Sequence, residues 1–286
     1  MKYGVIDIGS NSVRLMMWSD GTTLYKQLDS TRLGEGLALF GKLSPDAMER
    51  SAEAVKRFKE QAEREGAQKV FAFATAAVRS ATNGGEFVAL TKELAHIDVD
   101  VISGEEEAAI GLSGALGQDD GGIIDIGGGS TELTLRVGGM PVYSRSLDIG
   151  AVRLFDLCGR KKTLLQTTIE SKIAEYGKVD HTVPVYGIGG TITSLAAVAL
   201  GLKKYDPIKV QDFVLDKNAV VLLTDRLFSM TAEEIVNTTC LPFRRAEIIA
   251  GGALLLSRLM DYLRLDRITV SERDNLEGYL LRRGCL

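Results

Sequence analysis

The chain has 286 residues, 45% hydrophobic and 25% charged, with a formal net charge of −4. That length favours two domains, and the composition is ordinary for a soluble globular protein with no membrane partner, since no apolar run reaches the ~18 residues of a membrane span. The acidic balance argues against a general DNA or RNA binder but leaves room for a polyanionic substrate in a locally basic groove.

The first stretch, residues 3–18, reads as a β-hairpin, and residues 22–30 add a third strand. Residues 32–36 form a glycine-rich loop. Ser44 and Pro45 then have the chemistry of an N-cap and a first helical residue. Met48, Ala52, Val55, Phe58 and Ala62 share one helical face, and Gly66 ends the helix. A strand over Lys69–Ala74 leads into residues 75–83, followed by a helix near 85–96 and a strand at 99–102. Ser103 and Glu106 have capping-box spacing at the start of a helix that runs to about Leu116. Three acids in its first turn suit the helix dipole. That accounts for Glu105 and Glu106, and leaves Glu107 open between a dipole role and a chemical one.

Residues 118–122 are short, polar and glycine-rich, as a domain boundary would be. A second hairpin follows, then a strand at 142–146, a loop at 147–153 and a helix near 164–176. Residues 183–191 read as a strand that breaks into glycines before a helix at 192–200. Helices are expected over Lys217–Ser229, 232–237 and 245–263, then a strand at Arg267–Val270 and a last helix at 276–283.

The two hairpins are copies. Gly4-Val-Ile-Asp-Ile-Gly-Ser-Asn-Ser-Val-Arg-Leu15 aligns without gaps on Gly122-Ile-Ile-Asp-Ile-Gly-Gly-Gly-Ser-Thr-Glu-Leu133, with seven of twelve positions identical. An offset of 118 residues is too long for a solenoid and suggests two similar domains facing each other across a cleft. Glycines at a hairpin tip are expected to supply positive φ angles and to let backbone N–H groups close around an anion. Carboxylates beside them, Asp125 and Glu132, could hold a hard cation such as Mg²⁺ against that anion. Residues 187–191 form a third glycine–hydroxyl loop, which serves either close helix–strand packing or anion binding at a helix start. Three such loops point to a cleft that grips phosphates from several sides. Cys158, Cys240 and Cys285 form no CxxC, which speaks against disulfides and fits a reducing cytoplasm. The N-terminus lacks a signal-peptide pattern. His96 and His181 lie away from every motif, so histidine-dependent nucleophilic catalysis is a poor fit.

In these blocks the chain resembles the exopolyphosphatase/guanosine pentaphosphate phosphohydrolase family. The matching residues are Asp7-Ile-Gly-Ser-Asn-Ser12, Ala74-Thr-Ala-Ala-Val-Arg79 with Asn83, Ser103-Gly-Glu-Glu-Glu-Ala108, Asp125-Ile-Gly-Gly-Gly-Ser-Thr-Glu132, Gly150-Ala-Val-Arg153 and Gly187-Ile-Gly-Gly-Thr191. The resemblance implies an α/β fold of two duplicated actin-like, ribonuclease-H-like domains with an interdomain cleft. One domain would span residues 1–118 plus a C-terminal helix at about 275–286, the other 119–274. It implies Mg²⁺-dependent hydrolysis of a terminal phosphoanhydride by a cytoplasmic homodimer. Glu107 corresponds to the family's general base and Arg79 to an arginine near the phosphates. Asp125 and Glu132 correspond to acids that handle metal and water, with Asp7 joining them at the metal. Phosphate contacts fall to Gly9, Ser10, Asn11 and Ser12, to Gly127, Gly128, Gly129 and Ser130, and to Gly189, Gly190 and Thr191.

Two departures stand out. Family members commonly end in a Gly-Leu/Ile-Arg-Glu-Gly block, where this chain has Asp274-Asn-Leu-Glu-Gly278, and Glu247 stands where aspartate is expected. The 286 residues also stop before the helical domains of longer members, which leads us to expect a preference for short chains or less processive action. Polyphosphate and guanosine pentaphosphate both present a terminal phosphoanhydride, so the sequence leaves both substrates open. Lys203, Lys204, Lys209, Arg244 and Arg245 are either a track for a long polyanion or solvated surface charge. A nucleotide-binding regulatory protein on the same fold is a further reading, with a sugar kinase ranked last.

Overall fold

The computed structural model describes residues 1–180 and 183–285; His181 lies outside them. The first half contains β1 (Lys2–Ile8), β2 (Val13–Ser19), β3 (Thr22–Asp29), α1 (Leu37–Phe40), α2 (Pro45–Arg64), β4 (Lys69–Ala74), α3 (Ala76–Ser80), α4 (Gly84–Ala95), β5 (Val99–Val101) and α5 (Gly104–Leu116). The second contains β6 (Gly121–Ile126), β7 (Thr131–Val137), β8 (Met140–Leu147), α6 (Ala151–Cys158), α7 (Lys162–Ile173), β9 (Val185–Ile188), α8 (Gly189–Ala199), α9 (Pro207–Val210), β10 (Val214–Asp216), α10 (Lys217–Ser229), α11 (Ala232–Thr238), α12 (Phe243–Tyr262) and β11 (Arg267–Val270). A last helix, α13 (Asn275–Arg282), closes the described chain.

The strands form two sheets, ordered β3-β2-β1-β4-β5 and β8-β7-β6-β9-β11-β10. Both follow one plan: β1 and β6 pair antiparallel with the next strand and parallel with the strand on their other side. The duplicated α/β fold expected from the repeat is therefore present, with β10 added antiparallel to one edge. β6 is buried along its whole length, as a central strand covered on both faces must be. Gly121 and Gly122, read as part of a boundary, are its first two residues.

Local chemistry sets many element ends. Ser44 caps α2 by accepting from Ala47 N, with Pro45 at the first helical position. Ser103 and Glu106 form the expected capping box on α5. α6 is a correction: residues 151–153 were read as loop. Its N-cap, Gly150, offers no side chain; the first N–H groups bond instead to the carbonyls of Gly127 and Gly128, at 2.9–3.0 Å. That cap comes from 24 residues upstream, so no local pattern announces it.

α5 and α13 lie between the sheets. Leu276, Tyr279 and Leu280 of α13 are fully buried against Val5, Met16 and Phe73 of the first sheet, with Tyr279 stacked on Phe73 at 4.5 Å. Each such side chain contributes about 1.5–3 kcal/mol. α5 sends Ile110 into that cluster and Leu112 against Ile123 and Ile188 of the second sheet. Its N-terminus is thereby fixed where the halves meet. Among the described residues, no helix is long and apolar enough to cross a membrane.

Candidate active site

A cavity opens between the two hairpin loops, the start of α8 and the N-terminal turn of α5. Its walls include Asp7, Gly9 to Ser12, Arg14, Glu107, Asp125, Gly127 to Ser130, Gly189, Gly190, Arg245 and Asn275. The hairpin loops keep matching geometry, with Gly9 N bonded to Ser12 O and Gly127 N to Ser130 O, both at 3.0 Å. Their carbonyls are taken up on the far side. Ser10 O and Asn11 O accept from Gly34 N and Arg32 N, while Gly127 O and Gly128 O accept from the start of α6. Among the described residues, the N–H groups of Ser10, Asn11, Gly128 and Gly129 donate to no protein acceptor. Four unused donors in two facing loops suit an anion.

The glycines act differently from expectation. None of Gly9, Gly127, Gly128 and Gly129 has positive φ. They are needed for close approach: a Cβ at Gly128 would sit 2.9 Å from the Ser10 Cβ, and one at Gly129 2.7 Å from the Ser10 Oγ. The two hairpin tips thus touch. In the third loop the left-handed conformation does occur. Gly189, at φ 82°, lies so close to Asp125 that a Cβ would fall 2.1 Å from Oδ1. The Thr191 side chain is a correction. It is buried 1% exposed, is not part of the cavity wall, and packs toward Gly252.

The acids are buried together. Glu107 is 7% exposed and accepts from Arg79 Nη1 at 3.0 Å. Burial pushes its carboxyl up to about 7, with Arg79 opposing and Asp125 adding to the rise. Asp125 is pushed to about 6 by burial and by Asp274, against Arg14 and a hydrogen bond from Asn275. Glu132 is raised well above the usual range by burial, Glu107 and Asp125, against Ser146 and Ser130; Oε1 accepts from Ser146 Oγ at 2.6 Å. Neither Arg79 nor Glu132 lines the cavity itself. Arg79 donates to Ile102 O and Glu107, which holds it beside Glu107 and off the cavity wall.

Sequence reading missed Arg14 and Asn275, and only partly found Arg245. Arg14 binds Asp7 through Nε at 3.0 Å and also pairs with Asp274. Asn275 donates to Asp125 Oδ2 at 3.0 Å. Arg245 is 8% exposed, and no carboxylate among the described residues pairs with it. Burial, with Arg14 nearby, pushes its guanidinium down to about 10. A buried cation on a cavity wall without an acid beside it suits an anion. Of the other proposed track residues, Arg244 bonds Thr31 O, Lys203 bonds Thr238 O and Lys209 pairs with Asp206; none of these or Lys204 lines the cavity. Asn83 holds the backbone of Leu43 from both sides, a structural task.

The expected metal acids Asp7, Asp125 and Glu132 do not form a cage. Among the described residues, no three His, Cys, Asp or Glu side chains gather as a metal site, because Asp7 turns to Arg14. Mg²⁺ needs less: it keeps several waters and takes one or two carboxylates plus phosphate oxygens. Among the described residues Asp7 Oδ1 has no hydrogen-bond partner, and Asp125, on the cavity wall, faces Glu132 across β6 and β7. One or two carboxylates of this kind fit a hydrated Mg²⁺.

The chain is 30% identical to Exopolyphosphatase 2 of Mycobacterium tuberculosis over 98% of both chains. It is 30% identical to the guanosine-5'-triphosphate,3'-diphosphate pyrophosphatase of Vibrio cholerae over 99% of this chain and 58% of that one. The crystal structure of the Aquifex aeolicus member of the Ppx/GppA family superposes with a TM-score of 0.78 at 29% identity, covering 99% of this chain and 97% of that one. With the Ppx/GppA phosphatase family model matching residues 17–283, the chain belongs to the Ppx/GppA phosphatase family.

Proposed function

We propose that the protein is a Mg²⁺-dependent exopolyphosphatase that releases the terminal phosphate of inorganic polyphosphate. The observation that carries this is Glu107, a buried carboxylate pushed up to about 7 by burial, on the wall of a cavity lined by three glycine loops. A base with that pKa is half ionised at neutral pH, where general-base catalysis is most effective.

In the proposed reaction, water beside Glu107 gives its proton to the carboxylate as its oxygen bonds to the terminal phosphorus. The bond to the bridging oxygen breaks, and the shortened chain leaves with that electron pair. Arg79 keeps Glu107 in place. Arg245 and the free N–H groups of the loops neutralise charge on the phosphates, the main catalytic demand of phosphoryl transfer. Asp125 and Glu132 would hold the Mg²⁺, which would supply further charge neutralisation.

Among the described residues the cavity wall carries no aromatic side chain on which a base could stack, which favours polyphosphate over a guanosine substrate. The full-length match to an exopolyphosphatase agrees. The test is phosphate release from polyphosphates of three lengths and from guanosine pentaphosphate, with and without Mg²⁺. Faster Mg²⁺-dependent release from polyphosphate is expected. Faster release from the nucleotide would overturn the choice of substrate.

A further inference from the structure

The last helix takes hold of the cleft at its N-terminal end. Two consecutive residues there each grip one of the matched hairpin aspartates. Asn275 does so directly, its Nδ2 donating to Asp125 Oδ2 at 3.0 Å. Asp274 does so through Arg14, which pairs with both Asp274 and Asp7. Asp7, Asp125, Asp274 and Asn275 are all 5% exposed.

The grip is stiff. Asp274 and Glu277 form a capping box. Lys26 reaches across from β3 to Glu277 Oε2 at 2.9 Å and to Glu272 O at 2.5 Å. Leu276 is fully buried in the first sheet's core. Asn275 therefore presents its amide from a fixed point, and Gly189 presses on Asp125 from the side of Oδ1. Between them the Asp125 carboxylate has little freedom to rotate.

We propose that Asn275 is a positioning residue for Asp125, and that the start of α13 sets how the two hairpin aspartates are presented to the cleft. This rests on the phosphohydrolase reading. Asn275 also lines the cavity, so a direct substrate contact is the rival account. The two differ in their kinetics. A positioning role appears in kcat and in the Mg²⁺ requirement. A substrate contact appears in KM.

The test is Asn275→Leu in the full chain, which keeps the bulk and removes the donor. Loss of an outer-shell partner costs roughly 10–100-fold in activity or metal affinity, so kcat should fall by about that factor. KM for polyphosphate should stay close to wild type, and the Mg²⁺ concentration for half-maximal rate should rise. Asn275→Asp, which sets a second carboxylate against Asp125, should lose more than Asn275→Leu. A crystal structure of Asn275→Leu should show the Asp125 carboxylate turned from its wild-type orientation. An unchanged kcat, a loss confined to KM, or an unmoved Asp125 would overturn the proposal. If Asn275→Leu does not fold, Asn275→Ser, too short to reach Asp125, is read by the same criteria. If the wild type releases no phosphate at all, the functional reading fails, and the crystal structure alone still decides whether Asn275 positions Asp125.

Discussion

Replacing Glu107 by Gln removes one charge and little volume, and it should separate activity from stability. Glu107 is 7% exposed and its carboxyl is raised from an ordinary 4.5 to about 7. The folded state binds this proton more tightly than the unfolded state does. The cost of burying the carboxylate is therefore absent below about pH 4.5, grows as pH rises, and is complete above about 7. At pH 8 it amounts to about 3 kcal/mol, order of magnitude. The neutral amide relieves that cost, in which the opposing Arg79 pair at 3.0 Å is already counted, so the variant should gain about 3 kcal/mol at pH 8, or about 5 °C in melting temperature for a chain of this size. Turnover should move the other way, falling about 10²–10⁴-fold with the loss of a general base, which is about 3–5 kcal/mol of barrier. The wild-type rate should fall as pH drops through about 7, and Glu107→Gln should lose that limb. The assays are phosphate release across pH 5–9 and thermal melts at pH 5 and 8. Turnover of the variant within threefold of wild type would refute the assignment of the base.

Arg245→Met should raise KM for polyphosphate by about 10–100-fold, the worth of a charged hydrogen bond, with a smaller effect on kcat; steady-state kinetics with an unchanged KM would remove Arg245 from the phosphate site. Asp125 and Glu132 are acids whose pKa values burial raises, so without metal the melting temperature should fall from pH 5 to pH 8. Mg²⁺ should restore more of it at pH 8 than at pH 5, and equal melts with and without Mg²⁺ at both pH values would count against a cation at these acids. Gly189→Ala meets both a φ of 82° and the Asp125 carboxylate, and should cost more than ~1 kcal/mol of stability together with most turnover. Denaturant unfolding and phosphate release that both match wild type would show that the α8 start tolerates a side chain.

Much of this was legible in the sequence because it is encoded locally. The hairpin repeat carries its own turn, so Asp7 and Asp125 fall at matching register positions in both sheets. Capping chemistry set the starts of α2 and α5, and the α5 start fixed the place of Glu107. What escaped depends on partners far apart in the chain. The cap of α6 is supplied by the second hairpin loop. Asn275 meets Asp125 across 150 residues, and Arg14 meets Asp274 across 260. The hydroxyl of Thr191 looked like one more loop hydroxyl, but its place within α8 turns it into the core. One signal for Arg14 was available: the ungapped alignment sets it against Glu132.

That last pairing explains why two copies of one hairpin do different work. In the first sheet Asp7 stands opposite Arg14 in register, and the two form an ion pair. In the second sheet the same positions hold Asp125 opposite Glu132. Like charges placed directly across a strand pair repel, and burial strengthens the repulsion. The first hairpin is therefore neutral by itself, and its arginine is free to reach on to Asp274 and fix the last helix. The second hairpin cannot be neutral at physiological pH without two retained protons, one proton and a single positive charge, or a divalent cation. An incoming phosphate chain increases the excess of negative charge, so the need for a cation is greatest when substrate is bound. On the proposed reading a metal requirement would belong to the second hairpin, and a single change of sign at the Arg14/Glu132 position separates a hairpin that neutralises itself from one left with an excess of negative charge.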